Sequence, residues 1–407
     1  MISPQNILQT VLIIAAVSLS RAEARPEYAT KEKLNCMACH VTPWGGGPRN
    51  VFGKGYGTHG GIASKLNATD LVYADLRALA YYPTDKVAQT RNGVVLMQAA
   101  VTGNAAVVSN EKNNSEVRAV LTYNIAPVSQ SQLREAYIRF QGPALNPQRA
   151  PQLLVGRFYS PFGLLTDEHR TYTRLQTNTT FNNYNVGLGG SISPLADTRL
   201  DAIAVNDFQR SGDFNNGDVT WGGVLNARWN PADLPFMLGI SGMYQHTSAL
   251  ADPLASSVYA VLSLNRITND KLSGSLLFER VDAKHWNNPA LNTGSINPGL
   301  SSFFLVNQTA TAAEPLVRAH SIGYYSMARL DLTHWLTAFY KLDWLDLDAG
   351  RRNGRFSRHG VGVETDISPN IIVNARYEKA YTGVPAARAL NSLAAQDNVF
   401  LMFRFWL

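Results

Sequence analysis

Beyond its first twenty or so residues the chain lacks any run of about 18 uninterrupted apolar residues, so no helix is expected to span a membrane. Charge is also scarce. Charged residues make up 16% of 407, and the net charge of +6 is scattered with no basic block. That pattern leaves no electrostatic footprint for nucleic acid. Cysteine is scarcest of all, with two residues, which excludes a disulfide framework and a cysteine-rich zinc site. Glycine and aromatic residues are plentiful by comparison, with 31 glycines and 10% Phe, Trp and Tyr.

The two cysteines fall in one run, Cys36-Met37-Ala38-Cys39-His40. A C-x-x-C-H run is the attachment pattern of a c-type haem. Two thiols one short loop apart can add to the two vinyl groups of one porphyrin. The next imidazole then falls beneath the ring, where it binds the iron. Half of a zinc site would need further cysteines, and a redox dithiol would not need His40. The expected cofactor is therefore one covalent haem c held by Cys36 and Cys39, with His40 as proximal iron ligand.

The motif follows an export signal. Residues 7–20 form an apolar core too short to span comfortably, and Ala22-Glu23-Ala24 has the small-x-small form of a cleavage site. Residues 1–24 are thus expected to be a signal peptide, although its first residues carry no Lys or Arg.

Residues 25–69 read as a small, glycine-rich cytochrome c-like segment. Trp44-Gly45-Gly46-Gly47-Pro48 must be a loop. It lets backbone pass close to a porphyrin, with Trp44 and Tyr56 as aromatic covers. About 45 residues cannot bury a haem and a core unaided. For the second axial position, His59 is the local candidate, a ligand such as Met97 from the remainder of the chain is another, and an open sixth site is a third.

From residue 70 the pattern changes to period-2 alternation. Val72, Ala74, Leu76, Ala78, Ala80 and Tyr82 share one face, with Asp75 and Arg77 on the other. Val117, Ala119, Leu121, Tyr123 and Ile125 repeat this, as do Val219, Trp221, Gly223, Leu225, Ala227 and Trp229, the last set alternating with Asn226 and Arg228. Trp221 and Trp229 stand roughly 20 Å apart in height at ~40° of strand tilt, about the spacing of two aromatic girdles. Sixteen strands are expected, near 70–82, 93–103, 115–125, 132–141, 151–159, 183–193, 197–208, 217–229, 235–247, 255–267, 270–282, 318–331, 333–346, 355–367, 370–382 and 397–407. Connections alternate long and short, with 160–182 and 283–317 among the long exterior loops. Val399, Leu401, Phe403, Phe405 and Leu407 give the last strand one apolar face. The expected fold is all-β: a roughly 16-stranded antiparallel transmembrane barrel over residues 70–407 in a bacterial outer membrane, with residues 25–69 as a haem-bearing lumen plug entering from the periplasmic end.

Haem motif, glycine-bearing linker and barrel together resemble the outer-membrane cytochrome–porin fusions, including those that oxidise ferrous iron at the cell surface. In that family the attachment motif precedes a proline and an Asn-x-Phe-Gly-basic-x-aromatic run. Here these are Pro48 and Asn50-Val51-Phe52-Gly53-Lys54-Gly55-Tyr56, with Gly57 and Gly60 beyond. This chain departs by placing Trp44-Gly45-Gly46-Gly47 before the proline, as in related single-haem porins. The resemblance implies single-electron transfer from extracellular Fe(II) to a periplasmic c-type cytochrome, an Fe(II):cytochrome c oxidoreductase activity. Asp167, Glu168 and His169 are ligand types that suit transient Fe²⁺ contact, while a solvated loop with self-pairing charges is the simpler account. Two other classes stay open: a solute-conducting porin whose haem segment is a plug or redox-sensing gate, and a haem enzyme or sensor with an open sixth position. Porins of this strand number are often trimers, an analogy of fold alone.

Overall fold

In a computed structural model of the chain, the described residues are 26–45, 49, 50, 53 and most of 71–406, excepting 85–92, 111, 126–132, 147–148, 167–170, 178, 180–183, 207–220, 247–251, 285–319, 347–348, 350–354, 369–370 and 383–396. The expected signal peptide, His59, Tyr56 and the Asp167-Glu168-His169 run lie outside them.

Helix α1, Pro26–Glu32, comes first. Then follow β1 (Val72–Pro83), β2 (Gly93–Asn110), β3 (Ser115–Asn124), β4 (Leu133–Gln141), β5 (Gln152–Tyr159), helix α2 (Tyr172–Thr177), β6 (Tyr184–Ile192), β7 (Thr198–Val205), β8 (Trp221–Trp229), β9 (Phe236–His246) and β10 (Leu254–Ser263). Helix α3 (Leu264–Ile267), β11 (Gly274–Lys284), β12 (His320–Asp331), β13 (Leu336–Asp346), β14 (Arg355–Ser368), β15 (Ile371–Thr382) and β16 (Asn398–Trp406) complete the chain. The strands form one closed antiparallel barrel in which each pairs with its sequence neighbours and β1 meets β16. The closing register sets Asp75 opposite Trp406 and Pro83 opposite Asn398. Closure satisfies every edge, which a bilayer demands because lipid offers no hydrogen bonds.

The alternation sorts the side chains as the sequence indicates. Leu76, Leu121, Leu225, Val258, Val361 and Phe403 are exposed on the outside, while Asp75, Arg77, Asp201, Glu279, Asp343 and Arg358 are buried inside. Trp221 and Trp229 are both outward and exposed, at opposite ends of β8. An apolar exterior of this extent is stable only in lipid, and closed, even-stranded barrels with aromatic girdles are the architecture of the bacterial outer membrane. The protein is an outer-membrane barrel. Short turns at 112–114, 193–197, 230–235 and 332–335 all fall at one end of the barrel, the periplasmic one.

Several strand limits differ from the sequence expectation, among them the starts of β11 and β13 and the ends of β2 and β10. β2 continues to Asn110, so the turn after it is tight, with Asn114 in the left-handed region at φ 57°. The end of the expected tenth strand is instead α3, because Thr268 N–H donates to Leu264 O at 3.0 Å and closes a helical turn.

The larger difference concerns 160–182, expected as an exterior loop. Its described part folds into the lumen. Phe162, Leu164 and Tyr172 are buried, and α2 packs against β11, β12 and β13. Glu279 on β11 draws the loop in, accepting from Leu164 N at 2.8 Å and Thr173 Oγ1 at 3.0 Å. Arg174 in turn donates to the carbonyls of Phe162 and Leu164. On the opposite side Asp343 accepts from Tyr172 N at 3.3 Å, and Arg358 lies 4.8 Å over the Tyr172 ring.

Candidate haem attachment site

The attachment run lies in the periplasmic mouth of the barrel. Proline opens α1, where its missing N–H costs nothing and its fixed φ suits a first helical turn. Lys33 then adopts φ 57°, and Leu34 N–H donates back to Ala29 O at 3.0 Å, ending the helix. A 3₁₀ turn follows over Cys36–Ala38. The amides of Cys39 and His40 both donate to Cys36 O, at 3.2 and 3.1 Å. One carbonyl thus organises both cysteines and the histidine into a single tight turn. The two cysteines form no disulfide. Burial pushes the Cys39 thiol up to about 11.

The sequence beyond the turn clamps it. Asn50 Nδ2 donates to Met37 O at 3.1 Å and Ala38 O at 3.0 Å, and its Oδ1 accepts from Gly53 N at 2.9 Å. Asn50 N also reaches Cys39 O at 3.0 Å, and His40 bridges to Arg49. Two glycines permit the close passage. Gly45 has φ +89°, and a Cβ there would stand 3.1 Å from Cys36 Cβ. A Cβ on Gly53 would fall 2.0 Å from Cys39 O, so only glycine fits.

The barrel wall holds the segment from all sides. Arg228 Nη1 on β8 donates to Cys36 Sγ at 3.0 Å and Trp44 O at 3.3 Å. Arg139 on β4 donates to Val41 O at 2.5 Å, and Gln152 on β5 reaches the Met37 sulfur at 3.6 Å. Asn230 Nδ2 caps α1 by donating to Ala29 O and Leu34 O at 3.2 and 3.3 Å. Across the mouth, Arg49 lies 4.8 Å over the Trp406 ring on the closing strand. Trp44 goes deepest. It is 1% exposed, lies 5.7 Å edge-on from Phe158, and joins Val41, Leu154, Ile203 and Val224 in the lumen's apolar cluster. The sequence marks Trp44 as a porphyrin cover, whereas in the fold it is the anchor of the segment.

A cavity of about 320 Å³ adjoins the turn, lined by Met37, Ala38, Val41 and Asn50 from the segment and by Glu116, Arg118, Arg139 and Gln141 from the wall. Among the described histidines other than His40, His246 faces Asp252 at 3.3 Å and His320 faces Asp282 at 3.5 Å, both on the exterior rim. His359 pairs with Tyr340 at 2.6 Å on the outer face, and His334 lies in the β12–β13 turn. Met97 sits where the β1–β2 register shifts. Among the described residues no group of three or more His, Cys, Asp or Glu is arranged to hold a bare metal ion.

The donor set suits a covalent haem. Two unpaired thiols share one turn, an imidazole follows the second, and the glycines at 45 and 53 let backbone press against the cysteines. Arg228, Arg139 and Asn50 hold the segment by contacts that the motif itself does not announce. Alternation turned Arg228 inward, but only the fold shows that it meets Cys36.

No protein-family model matches the chain, and no curated protein matches it. Its fold is similar to that of the outer membrane channel DcaP of Acinetobacter baumannii, with TM-score 0.53 and 10% identity over 83% of this chain and 96% of that one. It is likewise similar to OmpF of Salmonella typhi in complex with daunomycin, with TM-score 0.54 and 10% identity over 83% and 97%. OmpT of Vibrio cholerae gives TM-score 0.53 and 9% identity over 83% and 96%. At such identity the likeness is one of fold: a porin-type barrel.

Proposed function

We propose that this porin-type barrel is an outer-membrane cytochrome, carrying one covalent haem c at its periplasmic mouth and passing single electrons from an exterior donor to a periplasmic carrier. The observation that carries the reading is the placement of the C-x-x-C-H turn inside the lumen, held between Arg228, Arg139, Gln152 and Asn50. A porin needs no such turn. Cys36 and Cys39 anchor the porphyrin, His40 is the proximal ligand, and His59 is the proposed distal ligand. When bound, the haem supplies a site that accepts and releases one electron.

Geometry sets the donor's size. The hydrocarbon layer is about 30 Å thick, more than one porphyrin spans. A donor must therefore come down the lumen from the exterior, past the inward loop and α2. Ion pairs are buried inside the barrel, among them Asp343 with Arg358 at 2.7 Å and Glu378 with Lys341 at 2.5 Å. A lumen occupied by the segment and by the inward loop suits a small hydrated ion better than a protein donor. Fe(II) is the proposed donor, as in the cytochrome–porin fusions that the motif resembles, and a periplasmic c-type cytochrome docking at the short-turn mouth is the proposed acceptor.

Anaerobic stopped-flow spectroscopy of the detergent-solubilised protein tests this. Fe(II) should reduce the haem rapidly and saturably, and His40→Ala should abolish the reaction. Reduction by dithionite but not by Fe(II) would remove iron as donor. The second reading, a solute-conducting porin with a haem-bearing plug or redox-sensing gate, draws on the porin-type fold itself. Solute conductance that survives Cys36→Ala with Cys39→Ala would favour it.

A further inference from the structure

The Arg228 side chain is 11% exposed, and its position beside the C-x-x-C-H turn is itself fixed. Its Nη2 pairs with Asp201 Oδ2 at 2.9 Å while Nη1 holds Cys36 Sγ at 3.0 Å. Asp201 is shared. Arg199 Nε stands 3.7 Å from its Oδ1, Asn226 donates to Oδ2 at 3.0 Å, and Ser191 donates to Oδ1. All three charged residues face the lumen with little or no exposure. Two guanidiniums against one carboxylate leave the group with one net positive charge, placed against the sulfur of the first cysteine. On the other side of the turn, Arg49 adds a second cation near Cys39 and His40, stacked on Trp406.

A structural explanation exists for part of this. Arg228 ties the turn to the wall through the Trp44 carbonyl at 3.3 Å. That task needs hydrogen bonds, which a neutral amide could supply. It does not need a guanidinium with a second arginine behind its carboxylate, an arrangement that costs desolvation of each ion. The excess charge calls for a role that charge alone performs.

We propose that the Arg199–Asp201–Arg228 group is a positioning and potential-setting element, whose net positive charge favours the reduced over the oxidised haem held by Cys36. This rests on the haem reading of the same turn. The step concerned is a transfer of one electron from a reduced mediator to ferric haem, giving ferrous haem and oxidised mediator with no bond made or broken. Oxidation adds one positive charge to the haem, so a fixed cation nearby opposes it. A thioether sulfur is one bond from the substituent on the porphyrin edge, which brings a cation touching it within about 10 Å of the iron. At an effective dielectric of about 20, a unit charge at that range moves a one-electron equilibrium by about tenfold or more.

The test is the equilibrium of the purified haem-loaded protein with a mediator of known potential. Arg228→Gln should move it about tenfold toward oxidised haem, about 59 mV for one electron. Asp201→Asn, which unmasks a cation, should move it about tenfold the other way, and Arg199→Gln should follow Arg228→Gln. Arg228→Lys, which keeps the charge, should stay close to the native value. A merely structural role predicts that all of these shift the equilibrium in one direction through loosening of the site. Same-sign shifts for Arg228→Gln and Asp201→Asn, or shifts below twofold in both with haem content and spectrum intact, would overturn the proposal while leaving the haem reading standing. Native protein without covalent haem, judged by the pyridine haemochrome spectrum, would overturn both.

Discussion

Replacing Trp44 by alanine should open the barrel. Trp44 is 1% exposed, and its ring lies against Phe158 and Ile203 in the lumen. Its indole nitrogen is buried without a hydrogen-bond partner among the described residues, so the anchorage is packing. The wall is shaped to it, since a Cβ on Gly189 would stand 3.0 Å from the Trp44 ring. Removing a buried tryptophan costs about 3–5 kcal/mol. Because a factor of ten is about 1.4 kcal/mol, the ratio of docked to undocked segment should fall roughly a hundredfold to several thousandfold. The barrel itself keeps its ladder and should stay folded. Single-channel recording in planar bilayers reads the change directly, with Trp44→Ala showing frequent openings where the native protein is mostly closed. Gly189→Leu fills the same place from the wall and should reproduce the result with the segment unaltered. Native-like currents in both variants, with the segment equally protected from protease, would refute the argument that Trp44 holds it in place.

Glu279→Ala should loosen the inward loop: Arg174 loses the carboxylate that stands 3.5 Å away, and stranding one partner of a buried pair costs about 3–5 kcal/mol. Faster protease cleavage between β5 and β6 checks it. Leu225→Arg places a charge on the lipid face midway along β8 and should cost the barrel about 2–4 kcal/mol, measured by urea unfolding in vesicles. In haem-free protein, burial holds the Cys39 thiol protonated, with its ionisation raised from 9.0 to about 11. An unfolded segment sheds that proton first, so docking should weaken as pH rises from about 9 to 11, and reaction with a thiol reagent should accelerate through the same window. A rate already at its plateau by pH 9 would contradict the burial.

The strands were legible because a barrel wall imposes one rule on every residue. Leu76 and Leu225 must meet lipid while Asp75 and Asn226 must not, and period-2 alternation records that directly. The C-x-x-C-H turn stood out for a different reason, since its spacing is the one that haem attachment would require. Neither rule reaches the loops. Phe162 and Leu164 are apolar residues in what reads as an exterior loop, and they signal that it seeks burial, yet the partner that turns it inward, Glu279, lies more than a hundred residues away. Likewise, Arg228 reads as any inward arginine, because its contact with Cys36 spans 192 positions. Long-range pairings between side chains leave no period in a sequence.

The closing seam bears on the order of events in the life of the chain. Arg49, ten residues past Cys39, stacks on Trp406, the last described residue of the strand that shuts the cylinder. Once β1 and β16 have met, the thiols of Cys36 and Cys39 sit inside a mouth already filled by their own segment. An enzyme that joins haem to those thiols needs them in the open. On the haem reading, the cofactor must therefore be attached while the chain is still an unassembled strand in the periplasm, and insertion into the membrane seals it in. Haem supply then acts upstream of barrel assembly, so a cell short of haem would be expected to accumulate barrels with an empty turn that no later encounter can repair.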